Sequence, residues 1–339
     1  MPATFDGETV RAGERSRERF FDSRGYGRPA NGELVLAPVE AAHLLYRGDL
    51  DTIVDESGDQ LGFLDFLRKG AVSEVDFLVY KDLRERGFYL SPAAERKKFV
   101  VYPRGKGPWD DTVAYHIHPT SERGDITVSH LQALARADPS GVLAVVDEES
   151  ELTYLTVDRP SPSGTNEDIV PDTVHGSLLA DRVLVEDPPA RLHDPAFYGQ
   201  PLGSNLLQLS LVEAAYLAGR DVLAIGDGRA AILERGRTVE GERFDRRLEV
   251  YGMLRSAGIV PKTGFKFGAD FRTYADVESI ENLGHSEALV RVRPPERPFS
   301  PRALALDVRL AGGVRKRTWY AVVGDSGHPE WLEVSRLTP

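Results

Sequence analysis

The sequence contains no cysteine, which excludes disulfide bonds, thiolate nucleophiles, cysteine zinc sites and iron–sulfur clusters. It has no run of about 18 apolar residues, so we expect no transmembrane helix. Residues 1–19 are polar and charged, whereas a signal peptide would need an apolar stretch there. These absences predict a cytoplasmic chain with no membrane partner.

Lysine is also scarce, because 8 of the 42 basic residues are lysine and the other 34 are arginine. Acidic residues number 53, which gives a net charge of −11. A high net charge keeps proteins soluble in a salt-rich cytoplasm, and an acidic protein from a GC-rich genome would have the same composition. The negative total does not exclude a nucleic-acid partner, because phosphate contacts depend on a local basic patch.

The chain of 339 residues is long enough for two domains, and it contains an internal duplication. Three segments recur in order at an offset of 171–173 residues: 26–29 (YGRP) as 198–201 (YGQP), 39–44 (VEAAHL) as 212–217 (VEAAYL), and 80–87 (YKDLRERG) as 251–258 (YGMLRSAG). A nearly constant offset over three segments indicates two copies of one large unit.

A segment rich in proline and serine separates the two copies and predicts a linker over residues 159–176. Each copy divides into a small N-terminal α+β subdomain and a second, nuclease-like subdomain with a mixed sheet. The predicted ranges are 1–75 and 76–158 in the first copy, and 177–248 and 249–339 in the second.

The secondary-structure pattern predicts an α+β or α/β fold. Short helices are expected at 39–45 and 212–217, and longer ones at 77–86 and 246–256 that end at Gly87 and Gly258. Alternating apolar residues predict strands at 288–293 and 318–323.

Two motifs have competing interpretations. The segment 226–231 (GDGRAA) is similar to a dinucleotide-binding fingerprint, but Asp227-Gly228 between the apolar runs 222–225 and 230–233 favours a β-hairpin. His116 and His118 share one face of a strand, as two metal ligands would. No third ligand cluster accompanies them, which favours exposed strand histidines.

A local basic patch distinguishes the C-terminal part of the chain. Between residues 285 and 317 there are eight arginines and lysines but three acids, a local charge of +5 in an acidic protein. Such a patch is typical of a surface that binds a polyanion. A solvated basic face that balances acidic surface elsewhere would have the same composition.

Three ordered blocks within and before this patch resemble the catalytic domain of archaeal tRNA-splicing endonucleases: 264–274 (GFKFGADFRTY), 284–286 (GHS) and 309–316 (RLAGGVRK). Weaker similarity covers nearly the whole chain, because the homodimeric type in this family has a tandemly duplicated subunit with one degenerate catalytic copy. The resemblance implies a catalytic triad of Tyr274, His285 and Lys316. It also implies an arginine pair that sandwiches a bulged base, assigned to Arg309 by its block and to Arg336 by its place near the C-terminus.

These residue types suit RNA cleavage without a metal ion. Histidine transfers protons well because its ordinary pKa of about 6.5 lies near neutral pH. Lysine supplies a preorganised positive charge for the phosphorane-like transition state. Tyrosine is a poor base at its ordinary pKa of about 10 unless a nearby cation assists it. By resemblance, Tyr274 is the base, His285 the acid and Lys316 the stabiliser, and the planar cations of Arg309 and Arg336 would stack on bases.

The resemblance implies that the protein cuts precursor tRNA at both intron boundaries, in a bulge-helix-bulge motif. The reaction would be a transesterification that leaves 2′,3′-cyclic phosphate and 5′-hydroxyl ends, with no metal and no cofactor. A closed homodimer would supply one site for each cut. The protein would then recognise the shape and the unstacked bases of the RNA.

The first copy lacks the catalytic set. In the alignment of 115–119 with 290–294, the position of His285 falls on Asp110 and that of Lys316 near 139–141, while Tyr102 lies within one residue of the expected tyrosine. The sequence therefore predicts one active site per chain, in the second copy. Because the family that the chain resembles contains degenerate partners, one alternative is a non-catalytic RNA-binding or structural subunit. Another is a metal-dependent nuclease, although the basic C-terminal strands lack the paired carboxylates that such chemistry needs.

Overall fold

The computed structural model describes residues 3–93, 99–139, 141–167, 172–324 and 327–339. The chain divides into two compact units. The first contains residues 1–158 together with 299–305 and 335–339, and the second contains residues 159–298 and 306–334. None of the helices in these described ranges is both long and apolar enough to cross a membrane.

The first unit begins with a six-stranded sheet in the order β3-β4-β2-β1-β5-β6. A π-helical turn (Arg17–Asp22) and two helices accompany this sheet. The elements are β1 (Ala3–Phe5), β2 (Val10–Ala12), β3 (Arg28–Ala30), β4 (Glu33–Leu36), α1 (Pro38–Tyr46), β5 (Ile53–Val54), β6 (Gln60–Leu61) and α2 (Phe63–Arg68).

A mixed sheet follows in the first unit, with strand order β11-β10-β9-β8-β7. Only β9 and β10 are parallel among these described pairs, and α4 forms the crossover between them. The elements are α3 (Glu74–Glu85), β7 (Leu90–Pro92), β8 (Phe99–Val101), β9 (Tyr115–Ser121), α4 (Val128–Arg136), β10 (Gly141–Val146) and β11 (Leu152–Asp158).

The second unit begins with a five-stranded sheet in the order β14-β15-β13-β12-β16, and three helices belong to this part of the chain. Strand β12 begins at Val174, so the last residues of the segment expected to be a linker are part of a sheet. The elements are β12 (Val174–Leu178), β13 (Arg182–Glu186), α5 (Ala190–His193), β14 (Gln200–Pro201), β15 (Leu206–Ser210), α6 (Leu211–Ala218), β16 (Leu223–Ala224) and α7 (Gly228–Glu240).

The remaining elements of the second unit repeat the mixed sheet of the first unit, in the order β17-β18-β19-β20-β21. Here β19 and β20 are parallel and the other pairs are antiparallel. The elements are α8 (Arg243–Ser256), β17 (Val260–Thr263), β18 (Phe271–Tyr274), β19 (Ala288–Arg293), α9 (Pro301–Gly313), β20 (Arg317–Val322) and β21 (Glu330–Leu337), of which residues 301–305 and 335–337 are counted with the first unit. The helices predicted at 39–45, 77–86, 212–217 and 246–256, the strands predicted at 288–293 and 318–323, and the α+β class are confirmed.

A buried carboxylate holds the same turn in both copies. Glu40 accepts hydrogen bonds of 2.8 Å from the backbone amides of Gly27 and Ala37. Glu213 accepts bonds of 3.0 Å from the amides of Gly199 and Ser210. The recurring glutamates of the two helices thus explain the recurring turns before them, which supports the duplication at the level of individual bonds.

The turn also explains the glycine of the repeated segments 26–29 and 198–201. Gly27 and Gly199 have φ angles of +69° and +63°, a region that L side chains rarely adopt. A Cβ at either position would lie 2.6 Å from a backbone carbonyl oxygen. Glycine is therefore required for both its conformation and its small size.

The β-hairpin expected around Asp227-Gly228 is wrong. Residues 228–240 form the helix α7 instead, directly after the short strand β16. Gly236 lies inside α7, where a Cβ would be 2.4 Å from the ring of Phe244. The glycine permits close packing against Phe244, and this tertiary contact explains why it is tolerated in a helix.

The expectation of exposed strand histidines is wrong for His118. Its side chain is buried in β9, and its Nδ1 lies 3.2 Å from Nε2 of His130 on α4. His116, on the same strand, is half-buried. The two histidines therefore differ in environment although they share one face.

The strand pairing defines which residues of the two copies correspond. Phe99 pairs with Ile117 in the first copy, as Phe271 pairs with Val290 in the second. This register matches Tyr102 with Tyr274, three positions after each phenylalanine.

The same register corrects part of the sequence alignment. Because Tyr115 occupies the position of Ala288, counting back along the chain places Thr112, and not Asp110, at the position of His285. Pairing of β10 with β9 and of β20 with β19 places Pro139 at the position of Lys316. The first copy therefore lacks a histidine at the position of His285 and a lysine at the position of Lys316.

Candidate active site

Three neighbouring strands bring the predicted triad to one edge of the second unit's mixed sheet. Tyr274 is the last residue of β18, whereas His285 and Lys316 lie three residues before β19 and one residue before β20. Because β18 is antiparallel to β19 and β19 is parallel to β20, these three ends lie side by side. The topology thus converges segments that are up to 42 residues apart in sequence.

The end of β18 is held by a residue from the segment between the copies. The side-chain amide of Asn166 donates to the backbone oxygens of Gly258 (2.7 Å) and Tyr274 (3.2 Å). Its side-chain oxygen accepts a 2.7 Å bond from the amide of Val277. This segment therefore fixes the backbone on both sides of the turn that follows Tyr274.

Tyr274 lies in a small apolar cluster. Its side chain is 6% exposed and packs with Phe197, Val260 and Val277. The centres of the Phe197 and Tyr274 rings are 5.6 Å apart in an edge-on arrangement. Tyr274 is thus the most enclosed member of the expected triad.

Lys316 and His285 are more accessible. The ammonium of Lys316 donates a 2.6 Å hydrogen bond to the backbone oxygen of Ser286, next to His285, and lies 5.6 Å from the centre of the Phe267 ring. Partial burial, and then the positive charge of Arg272, lower the pKa of Lys316 below its ordinary value. His285 is exposed in the loop between β18 and β19.

The two expected RNA-binding arginines, Arg309 and Arg336, fall in different units. Arg309 is exposed on α9, a helix whose Ala311 packs with Leu289 of β19. Arg336 is exposed on β21 and belongs to the first unit. Arg309 therefore belongs to the same unit as the expected triad, whereas Arg336 belongs to the other unit.

Part of the basic patch is neutralised by carboxylates. Arg291 pairs with Asp307 of α9 at 2.8 Å, and Arg317 pairs with Glu333 of β21. Asp307 also accepts a 2.7 Å hydrogen bond from the hydroxyl of Tyr320. These two arginines are structural partners within the unit.

A buried ion pair supports the neighbouring strand β17. Lys262 donates a 2.8 Å hydrogen bond to the carboxylate of Glu213 and further bonds to the backbone oxygens of Gly199 (2.9 Å) and Phe197 (3.3 Å). Burial alone would raise the pKa of Glu213, but the charge of Lys262 and the hydrogen bonds to the carboxylate bring it to about 2. Among the described residues of the first copy no lysine pairs with Glu40, and burial raises the pKa of Glu40 to about 7 despite its two backbone amides.

Sequence reasoning missed one residue at this edge, Arg272. It lies two residues before Tyr274, on the same face of β18, and its guanidinium carbon is 5.8 Å from the centre of the Tyr274 ring. Because side chains alternate between the two faces of a strand, the sequence alone places Arg272 on the same face as Tyr274 once β18 is predicted. Arg272 therefore adds a positive charge to the candidate active site.

Among the described residues, no cluster of three or more histidine, aspartate or glutamate side chains could hold a metal ion. The candidate site consists of a phenol, an imidazole and cations at one edge of a mixed sheet, and the structurally similar first copy has Val100 and Pro139 at the positions of Arg272 and Lys316.

The repeated architecture has a counterpart among known families. The tRNA intron endonuclease catalytic C-terminal domain matches residues 73–154 and 244–331, and the N-terminal domain of the same family matches residues 1–67 and 174–235. Each copy thus contains both domains in the same order. The chain belongs to the tRNA intron endonuclease family, as a tandem duplication.

Individual relatives match over almost their whole length. The chain is 58% identical to the tRNA-splicing endonuclease of Haloarcula marismortui over all of both chains. It is 55% identical to that of Natronomonas pharaonis over 97% of each chain. Its identity to the tRNA-splicing endonuclease of Methanosarcina mazei is 39%, over 98% of this chain and 97% of the relative.

Proposed function

We propose that this protein is a tRNA-splicing endonuclease that cuts precursor tRNA at both intron boundaries, in a bulge-helix-bulge motif. The observation that carries the proposal is the position of Tyr274, His285 and Lys316 at adjacent strand ends in a chain of this family. The full-length similarity to proteins named tRNA-splicing endonuclease supports the choice of substrate.

The proposed reaction is a metal-independent transesterification. The 2′-hydroxyl loses its proton to Tyr274, and its oxygen forms a bond to the adjacent phosphorus. The bond from phosphorus to the 5′-oxygen breaks, and this oxygen takes a proton from His285. The products are a 2′,3′-cyclic phosphate and a 5′-hydroxyl, while Lys316 stabilises the added negative charge of the transition state.

We further propose that two copies of this chain form a closed dimer. The substrate requires two cuts and presents two bulges related by approximate two-fold symmetry. A symmetric dimer with one complete active site in each chain supplies two sites at a fixed separation. Mass measurement under native conditions tests this assembly, and a monomeric mass in the presence of RNA would contradict it.

The decisive experiment is cleavage of an intron-containing precursor tRNA in excess EDTA. We expect two cuts and 2′,3′-cyclic phosphate ends. Loss of cleavage in EDTA, with recovery on addition of magnesium, would favour a metal-dependent nuclease instead. Binding of the RNA without any cleavage would favour a non-catalytic subunit.

Two variants test the residues. Because His285 and Lys316 act on the transition state, His285→Ala and Lys316→Ala should each lower the single-turnover rate by about 10²–10⁴-fold. Their affinity for the RNA should change little. Wild-type rates in both variants would contradict the assignment.

A further inference from the structure

Arg272 is a cation to which the family resemblance gives no role. It lies on β18, two residues before Tyr274. Arg272 of β18 pairs with Leu289 of β19, and Leu289 pairs with Thr318 of β20. Tyr274 and Lys316 each lie two residues from a member of this row, on the same face and toward the edge. Arg272 is therefore directed to the same face as the candidate catalytic side chains.

Three cations on the strands around Arg272 and Lys316 are paired with carboxylates: Lys262 with Glu213, Arg291 with Asp307, and Arg317 with Glu333. In the part of the chain that the structure describes, neither Arg272 nor Lys316 forms an ion pair, in a protein that carries 53 acidic residues. Three acids lie two residues from a member of the site and are engaged elsewhere. Asp270 pairs with Arg243 and Arg247, Asp276 accepts a hydrogen bond from Thr165, and Glu287 acts electrostatically on Arg317.

The side chain of Arg272 also contains a nitrogen whose hydrogen-bonding capacity is unused. Its Nε is buried and has no hydrogen-bond partner within the described residues. A buried donor without a partner destabilises the protein, and more strongly when the group is charged. The charge of Arg272 also disfavours the charged form of Lys316. An anion bound between the two cations would relieve both costs.

The first copy provides an internal comparison. Strand register places Val100 at the position of Arg272 and Pro139 at that of Lys316, whereas Tyr102 keeps the tyrosine. The hydroxyl of Tyr102 donates to Ser91 at 3.2 Å. The first copy therefore has no cation at the positions of Arg272 and Lys316.

We propose that Arg272 is a further catalytic residue, which binds a non-bridging oxygen of the scissile phosphate together with Lys316. This inference rests on the proposed function. A guanidinium can donate two parallel hydrogen bonds to a phosphate, which a single ammonium cannot. The pair holds the phosphate in the ground state, and its attraction increases as the phosphorane gains negative charge.

The test compares Arg272→Val, which introduces the residue of the first copy, with Arg272→Lys. Removing one preorganised donor from a developing oxyanion costs about 10²–10³-fold in rate. We expect a loss of this size in the single-turnover cleavage of precursor tRNA by the valine variant, with partial recovery in the lysine variant. Affinity for an uncleavable RNA with 2′-deoxynucleotides at both cut positions should change less than about threefold, because most phosphate contacts remain.

Chemical rescue separates a catalytic role from a structural one. Millimolar guanidinium chloride should restore part of the activity of Arg272→Ala, because the free cation can occupy the vacated position beside Lys316. The matched control is Arg246→Val on α8, an arginine that is half-buried like Arg272, and it should cleave at the wild-type rate with or without guanidinium.

The outcomes are distinct. Wild-type cleavage by Arg272→Val, with Lys316→Ala inactive, would overturn the proposal for Arg272 and leave the proposed function standing. If Arg272→Val and Arg272→Lys are equally slow and destabilised, and guanidinium does not rescue Arg272→Ala, the role of Arg272 is structural only, and this result would also overturn the proposal. Failure of the wild-type protein to cleave would refute the proposed function itself.

Discussion

The buried ion pair between Lys262 and Glu213 allows a quantitative prediction. In Lys262→Met, Glu213 keeps its burial, two backbone amides and a hydrogen bond from the Ser210 hydroxyl, while burial with two backbone amides gives Glu40 a pKa of about 7. We therefore expect the pKa of Glu213 to rise from about 2 toward that of Glu40. Removing one partner of a buried pair costs about 3–5 kcal/mol of unfolding free energy while the other remains charged.

The sign of the pH dependence differs between the two proteins. In the wild type, the folded-state pKa of Glu213 lies below its unfolded value of 4.5, so the stabilisation is present above that value and is lost as the pH falls toward 2. In Lys262→Met the folded-state pKa lies above the unfolded value. Stability is then greatest below the unfolded pKa and is lost as the pH rises toward 7. The penalty should be smaller by about 2–3 kcal/mol at about pH 5 than at about pH 8.

Tryptophan fluorescence provides the assay. Trp319 and Trp331 both lie in the second unit, so urea unfolding in a Trp109→Phe background reports on that unit. The double variant Lys262→Met/Glu213→Gln is the control, because it removes both charges and should recover most of the loss at about pH 8. An equal penalty at both pH values, with no recovery in the double variant, would refute the proposed role of the pair.

Three further predictions concern stability and use urea unfolding. Because the folded-state pKa of Glu40 is raised to about 7, the wild type should lose about 3 kcal/mol of stability as the pH rises from about 4.5 to about 7. Glu40→Gln should remove this loss, and an unchanged pH slope would contradict the prediction. Gly199→Ala should cost at least about 2 kcal/mol because the residue has positive φ and its new Cβ would meet a carbonyl oxygen, whereas Gly203→Ala, with positive φ in open space, should cost about 1 kcal/mol; equal costs would exclude the steric contribution. Gly236→Ala should destabilise the protein despite the usual gain of about 1 kcal/mol in a helix, because its Cβ would lie against the ring of Phe244; a stabilised variant would show that the ring can move.

The sequence predicted the elements whose patterns are local. Helices α1, α3, α6 and α8 have amphipathic or capped segments, and strands β19 and β20 alternate clearly, so their positions are confirmed within a few residues. Helix α7 was missed because its two glycines indicate a turn by local rules. Its packing against Phe244 depends on a later helix, which no window around the glycine includes.

The candidate site was predictable to different degrees. Tyr274, His285 and Lys316 came from resemblance, and the strand topology adds that their ends are adjacent. Arg272 was accessible from simple alternation along β18. The pairing of Lys262 with Glu213 was not, because the two residues are 49 positions apart and meet only in the folded unit.

The buried glutamate of each copy has a consequence for how the fold opens. Glu40 joins the amide of Gly27, in the turn, to that of Ala37, at the start of α1, and Glu213 does the same in the second copy. The turn and the start of the helix cannot separate from each other without breaking a hydrogen bond to this buried carboxylate. Hydrogen exchange at the joined amides should therefore occur through one shared opening in each copy, so that the turn and its helix act as a single cooperative unit.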